Sequence, residues 1–473
     1  MSDRAGTLGD VPGNRTRRAW FLPLAVLLAL AGCTAPGSGR EAAPTAAPSG
    51  STAQGTGGEP RVIRVPADAA TIQEGVDAAA PGDMVLVSPG TYTEQVLIET
   101  EDVTLRGAER DGVVVDGEGL RPSGVVATAD GVRIENLTVR YTTFYGVLVT
   151  GMRGADGEPS AHGVDGYERL DPQEHPPVQR FGISHVTTYG NGLYGIYAFD
   201  AQHGYVRDSY ASGSADSGIY VGQCQDCDVL VQGNVAERNA VGFENANASD
   251  SVVVVGNRFS GNRVGMTLLS NYQEAFVPQR RNTVVGNVVT ANASDTSPEH
   301  ADGGFGIGVG ISGGQANVLR ANLVAGNPVA GVLLANAEDL AASGNRLEGN
   351  AFTAPGVGAN GVDVGNVSAD RAPATGNCVQ GSDPAPSSAP AGLLAVGCDD
   401  ATALQPAVTA DGLPAATVPP GTSFLQVPAP PSQPSMTDVE TLPERLPAAV
   451  RMPVLDDVTV PDAGLLAERS GLS

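Results

Sequence analysis

An all-β solenoid built from stacked coils of about 23 residues is the fold that this 473-residue sequence predicts. Three observations predict it. First, Gly195-Ile-Tyr, Gly218-Ile-Tyr, Gly242-Phe-Glu and Gly265-Met-Thr open similar segments at steps of 23, 24 and 23 residues, and Gly308-Val-Gly and Gly331-Val-Leu resume the series 23 apart. Second, asparagines recur five residues apart, at Asn234/Asn239, Asn257/Asn262, Asn287/Asn292, Asn322/Asn327 and Asn345/Asn350. Third, short β-branched runs and polar turns fill the space between these marks.

One such coil cannot bury its apolar side chains alone. Stacking coils ~4.8 Å apart pairs each backbone group with the coils on either side. Equivalent residues then form columns, and a column of asparagines can hydrogen-bond along the stack. Glycines are expected to supply corners with φ above zero. Alternation along the strand after each Gly makes Ile196, Ile219, Phe243, Met266, Val309 and Val332 an inward column. The outward column reads Tyr197, Tyr220, Glu244, Thr267, Gly310 and Leu333.

At the N-terminus, Arg15, Arg17 and Arg18 precede an apolar run from Trp20 to Ala31. The run is too short for a membrane-spanning helix and fits the apolar region of an export signal. Its end, Leu30-Ala31-Gly32-Cys33, closely resembles the lipobox of bacterial lipoproteins. The resemblance implies a lipoprotein signal peptide over 1–32, lipidation at Cys33, and a cell-membrane-anchored protein on the extracytoplasmic face. Thr16-Arg17-Arg18-Ala19-Trp20-Phe21-Leu22 also resembles a twin-arginine signal, so the export route stays open. Residues 33–60 are mainly Ala, Pro, Gly, Ser and Thr, which makes a flexible tether.

Thr71-Ile-Gln-Glu74 is a capping box, and Ile72, Val76 and Ala79 follow at helical spacing. A short amphipathic helix is expected over 69–80, covering the open edge of the first coil. Strands are expected over 84–88, 95–99, 103–107 and 113–116. The run from Thr71 to Ile98, TIQEGVDAAAPGDMVLVSPGTYTEQVLI, resembles the opening of pectin-lyase-like right-handed β-helix proteins. The resemblance implies a right-handed, single-stranded parallel β-helix over 61–400 with a capping helix. It implies no single activity, because that superfamily holds lyases, hydrolases, epimerases, esterases and non-enzymes. Gly192–Asn247, with YGIYAFD, SADSGIYVGQC and VGFENANAS, is similar to bacterial parallel β-helix repeat proteins, which implies fold and export. The general repeat also resembles a β-helix protein of copper-site maturation.

Three stretches interrupt the period: 151–180, 271–282 and 293–305. All abut one strand column, so they are expected to project from one side and wall a groove. They carry His162, Asp165, His175, Glu299, His300 and Asp302. Beyond Cys33 four cysteines remain, and two disulfides, Cys224–Cys227 and Cys378–Cys398, are the simplest arrangement for an exported chain. A redox or metal role for the CxxC is the alternative. Residues 401–473 hold 12 prolines and no period, which gives an extended or disordered tail.

The formal charge of −25 argues against a nucleic-acid partner, and the absence of lysine excludes lysine chemistry. Aromatic rings beside carboxyls and amides suit a sugar-binding surface. Tyr197, Tyr220, Glu244 and Asp216 are therefore the candidate catalytic residues, with Asp200, Gln223, Asn247 and Arg263 as substrate-binding candidates. Asp216 and Glu244 could act as a carboxyl pair. A tyrosine could act as base with Arg263 or Arg238 neutralising a uronate. The alternative is an outward face whose tyrosines merely pack on neighbouring coils. No cofactor is assured, Ca²⁺ is conceivable as a bridge to an anionic glycan, and no metal ligand set is assigned. The reading is a lipid-anchored β-helix that binds, and processes by lyase, epimerase or hydrolase chemistry, a polysaccharide. The alternative is a non-catalytic scaffold or assembly factor, including a role in metal-site maturation.

Overall fold

Alternating β-branched runs and tight turns do stack into coils. A computed structural model describes residues 59–154, 157–159, 173, 175–400 and 402–472, which fall within one unit, Thr56–Ser473. The signal segment, Cys33, nearly all of the tether, His162 and Asp165 lie outside the described residues. The chain forms a right-handed parallel β-helix. Three long parallel sheets of 12, 9 and 11 strands run its length, and each coil visits them in turn. The first sheet runs from Val62–Val65 to Cys378–Gln380, the second from Gly90–Tyr92 to Leu323–Ala325, and the third from Val96–Ile98 to Ser388–Ala389.

The register confirms the inward column. Ile196, Ile219, Phe243, Met266, Val309 and Val332 are consecutive partners in the third sheet, and all six sit in one continuous apolar core. The capping helix is shorter than expected, Ile72–Asp77. Thr71 accepts the Glu74 N–H at 3.1 Å, and Ile72 and Val76 close the end of the core.

Asparagine ladders hold the turns, but the five-residue spacing conceals a change of register. Asn234, Asn257, Asn287, Asn322 and Asn350 form one ladder, in which each Oδ1 accepts the backbone and side-chain N–H groups of the previous member. Asn239, Asn262, Asn292, Asn327 and Asn360 form a second. Asn345 belongs to neither. It stands in a third ladder with Asn282, Asn317, Asn377 and Gln405.

The second ladder explains the strand-opening glycines, whose φ is not positive. A Cβ on Gly242 would lie 2.6 Å from Asn262 Nδ2 and 2.5 Å from the Gly265 carbonyl oxygen. Gly265 meets Asn292 and Gly308 in the same way. These glycines let the amide ladder press against the next coil. The expected corner role is filled by other glycines, such as Gly190, Gly213, Gly256 and Gly326, and by one left-handed column of Asn136, His185, Asp208 and Gly233.

Both disulfides, Cys224–Cys227 and Cys378–Cys398, are formed. Residues 402–472 contain no strand and run extended along the outside of the coils. Their anchors are polar. Glu440 pairs with Arg64 at 2.6 Å and Arg445 with Asp102 at 2.9 Å. The buried Arg469 guanidinium donates to the carbonyl oxygens of Asp208, Ser209 and Gly233.

Candidate active site beneath the inserted loops

The third-sheet strands Tyr194–Phe199, Ser217–Gln225 and Val241–Ser249 bring Tyr197, Tyr220 and Glu244 into direct register, as the period predicts. Their environment differs from the prediction. Tyr197 and Tyr220 are fully buried and Glu244 is 7% exposed. Alternation fixes which face a side chain leaves by, and the inserted stretches then cover that face. Tyr197 stacks on Tyr194 at 4.0 Å and meets Tyr220 edge-on at 4.5 Å. Tyr220 donates to Glu274 Oε1 at 2.8 Å, and Glu274 belongs to the 271–282 insertion. The row is the floor of a second, aromatic core with Val126, Leu148, Met152 and Phe199. The tyrosine faces are therefore not open for sugar stacking.

The flanking candidates are also interior. Asp200, Gln223 and Asn247 are buried with left-handed backbone, one per coil. Gln223 donates to Met152 Sδ and accepts the Ala275 N–H, and Asn247 exchanges two hydrogen bonds with Asn271. These amides tie the first two insertions to the sheet. Burial pushes the Asp200 carboxyl up to about 7, against a hydrogen bond from Gln223.

Asp216, Glu244 and His300 converge, with one potential ligand atom from each lying within 4.8 Å of the others. Asp216 precedes its strand, Glu244 comes from the next coil, and His300 arrives on the 293–305 insertion. His300 Nε2 is 3.3 Å from Asp216 Oδ1. Ser217 Oγ lies 3.1 Å from Asp216 Oδ1 and also contacts Glu244 Oε2. Burial raises Glu244, the Asp216 charge raises it further, and the result is about 8. Burial would raise Asp216 too, but the hydrogen bond and charge of His300, with Tyr194 and Ser217, hold it below its ordinary value. The serine agrees with this assignment. It has one proton to give between two acceptors, so a protonated Glu244 donates to Ser217 and Ser217 donates to the Asp216 carboxylate.

His300 is under opposing demands. Burial disfavours its charge, yet Asp216 and Glu244 push it up to about 9. Its Nδ1, however, accepts the Asp302 N–H at 3.0 Å, which requires a lone pair there. That bond exists only for the neutral ring and opposes the carboxylates. Both protonation states keep a proton on Nε2, facing Asp216 at 3.3 Å.

One further column lies beside the cluster. Backbone hydrogen bonds link Phe144 to Leu193 and Leu193 to Asp216, and the same lead position continues through Ala240 to Arg263. Phe144 is 47% exposed and Leu193 half-buried. Arg263 is 1% exposed, with Phe305 5.2 Å from its guanidinium carbon and Nη2 donating to the Pro419 carbonyl oxygen. Among the described residues its Nε and Nη1 have no hydrogen-bond partner.

His300, Ser217, Tyr194 and Glu274 were not among the sequence-derived site residues. His300 carried a signal as a histidine in an insertion that abuts the right column. Glu274 carried none, since nothing in the period places residue 274 over residue 220.

The family described as right handed beta helix region matches over residues 91–289 and 177–370, together more than half of the chain. Solved structures of similar fold include the A-module of an Azotobacter vinelandii mannuronan C-5 epimerase, at 16% identity and a TM-score of 0.40, covering 66% of this chain and 82% of that one. An alginate lyase from Paenibacillus matches at 15% identity and TM-score 0.36, covering 71% and 97%. A pectate lyase matches at 15% and 0.39, covering 83% and 96%. Likeness at these identities concerns the fold alone. Among curated proteins, none matches the chain.

Proposed function

The chain belongs to the right-handed β-helix family, and on that premise we propose that it is a lipid-anchored, extracytoplasmic protein that binds a polysaccharide and processes it at Asp216, Glu244 and His300. One observation carries the reading. Two neighbouring carboxyls are held in opposite protonation states beside an imidazole, which is the division of labour that proton transfer requires. Glu244 is the proton donor, and the Asp216 carboxylate, held by the His300 Nε2–H, is the acceptor.

The reaction class follows from spacing. Glycosidases hold their carboxyls ~5 Å or more apart to flank the scissile bond. Here both carboxyls meet one serine hydroxyl and an oxygen of each lies within 4.8 Å of the other, which rules against the wide spacing of inverting hydrolysis and suits elimination or epimerisation. Either reaction needs a cation to neutralise a sugar carboxylate; Arg263 on the adjoining lead column would serve once Phe305 turns aside to open it. Phe144 and Leu193 offer the apolar surface for the sugar rings that the buried tyrosines do not.

A second reading rests on the same three atoms, which lie close enough to share one divalent cation. Two carboxylates and an imidazole suit a transition dication better than Ca²⁺, which takes roughly six to eight oxygens. The bound ion would polarise a sugar oxygen.

The test is a screen of the mature protein against a panel of neutral and uronate polysaccharides, with and without a chelator, beside Glu244→Gln. Binding retained and turnover lost by about 100-fold in the variant is the expected result. Loss of parental turnover with chelator would favour the cation. Absence of any glycan binding by the parent would leave the scaffold alternative.

A further inference from the structure

We propose that a cavity between the first sheet and the returning C-terminal tail, away from the inserted loops, binds a small organic anion: a carboxylate or phosphate carried on a compact apolar body. The cavity is about 220 Å³. Its solenoid wall carries Arg133, Tyr205 and Arg207, and its tail wall carries Leu446, Val450 and Arg451.

The charges make the case. The chain as a whole carries 52 acidic against 27 basic residues, yet three arginines and His203 line this one cavity. Among the described residues no carboxylate pairs with Arg207 or Arg451. Glu135 and Asp228 are already engaged. Glu135 is held by Arg106 at 2.6 Å and reaches Arg133 only at 3.7 Å. Asp228 accepts the Val450 N–H at 2.7 Å and lies 3.1 Å from His203 Nδ1. Arg207 and Arg451, from two separate segments, therefore line one space with no carboxylate paired to either among the described residues. Such an arrangement repels unless an anion fills it.

The shape of the lining sets the ligand's chemistry. Guanidinium forks match the paired oxygens of carboxylates and phosphates. Leu230, Leu446 and Val450 add apolar wall, so the anion should carry an apolar body rather than be a bare ion. Arg207 already lies over the Tyr205 ring at 4.4 Å, which fixes its guanidinium at the cavity. A bound anion would join Arg207 of the solenoid to Arg451 of the tail and pin the tail down.

Titration calorimetry of the full mature protein with phenyl phosphate and inorganic phosphate, at ionic strength matched with chloride, tests this. Saturable binding of phenyl phosphate, at least tenfold tighter than inorganic phosphate, is expected. Arg207→Gln and, separately, Arg451→Gln should each weaken it about tenfold. Both side chains are exposed, so the variants should melt with the parent. Phenyl phosphate should also slow limited proteolysis of the 446–451 segment in the parent and not in Arg451→Gln. No saturable binding, equal affinity for the two phosphates, or binding indifferent to both substitutions would overturn the proposal.

Discussion

Tyr220 donates its hydroxyl to Glu274 Oε1 at 2.8 Å, and neither side chain reaches solvent. The bond joins a strand of the third sheet to an insertion 54 residues away in sequence. It turns a face that alternation marks as outward into an interior.

Tyr220→Ala should therefore destabilise like a core truncation, by about 3–5 kcal/mol, and in the same range as Phe243→Ala on the inward column. Chemical denaturation of both variants checks this. A Tyr220→Ala variant within about 0.5 kcal/mol of the parent would show that the insertions do not cover the row in solution.

Glu244 gives stability a pH dependence. Its folded pKa of about 8 lies above the ordinary value of 4.5, so the folded state binds the extra proton. The contribution is complete below about pH 4.5 and is lost as pH rises through 8, with a slope of at most ~1.4 kcal/mol per unit. Glu244→Gln carries no such proton and keeps an N–H donor for Ser217 Oγ. Its stability should gain on the parent's as pH rises from about 4.5 through 8. Parallel curves for the two proteins would contradict the assignment.

Asn257 donates Nδ2 to Val231 and Asn287 and accepts both N–H groups of Asn234. Asn257→Ala strands the Asn234 N–H and the Val231 carbonyl inside the turn. A loss of about 2–4 kcal/mol is expected, measured by denaturant midpoint. Asn257→Asp should fare little better, because it keeps the acceptor and loses the donor.

Cys33→Ser should abolish lipidation if the lipobox reading is right. The protein would then leave the detergent phase on partitioning. Retention of the variant in that phase would remove the anchor from the proposal.

The sequence by itself determined the coil period, the strand register and the inward column. Each is a local property: alternation and a turn every few residues repeat until the coils have only one way to stack. It determined the asparagine ladders too, since identical side chains at equal spacing must line up. It did not separate three ladders from two, because Asn345 and Asn350 keep the five-residue spacing while moving to different turns. Nor did it give the true reason for the strand-opening glycines, which is contact with the next coil rather than their own φ.

Tertiary structure alone decided what covers the outward face. Glu274 and His300 lie in insertions without a period, and only folding places them over Tyr220 and Asp216. Burial then sets the chemistry. Asp216 and Glu244 have the same ordinary character in sequence, and they diverge because one holds His300 and the other meets the first one's charge in a site with little water. The tail shows the same limit. Its composition gives extension, but its path along the coils depends on arginines and carbonyl oxygens that meet hundreds of residues apart.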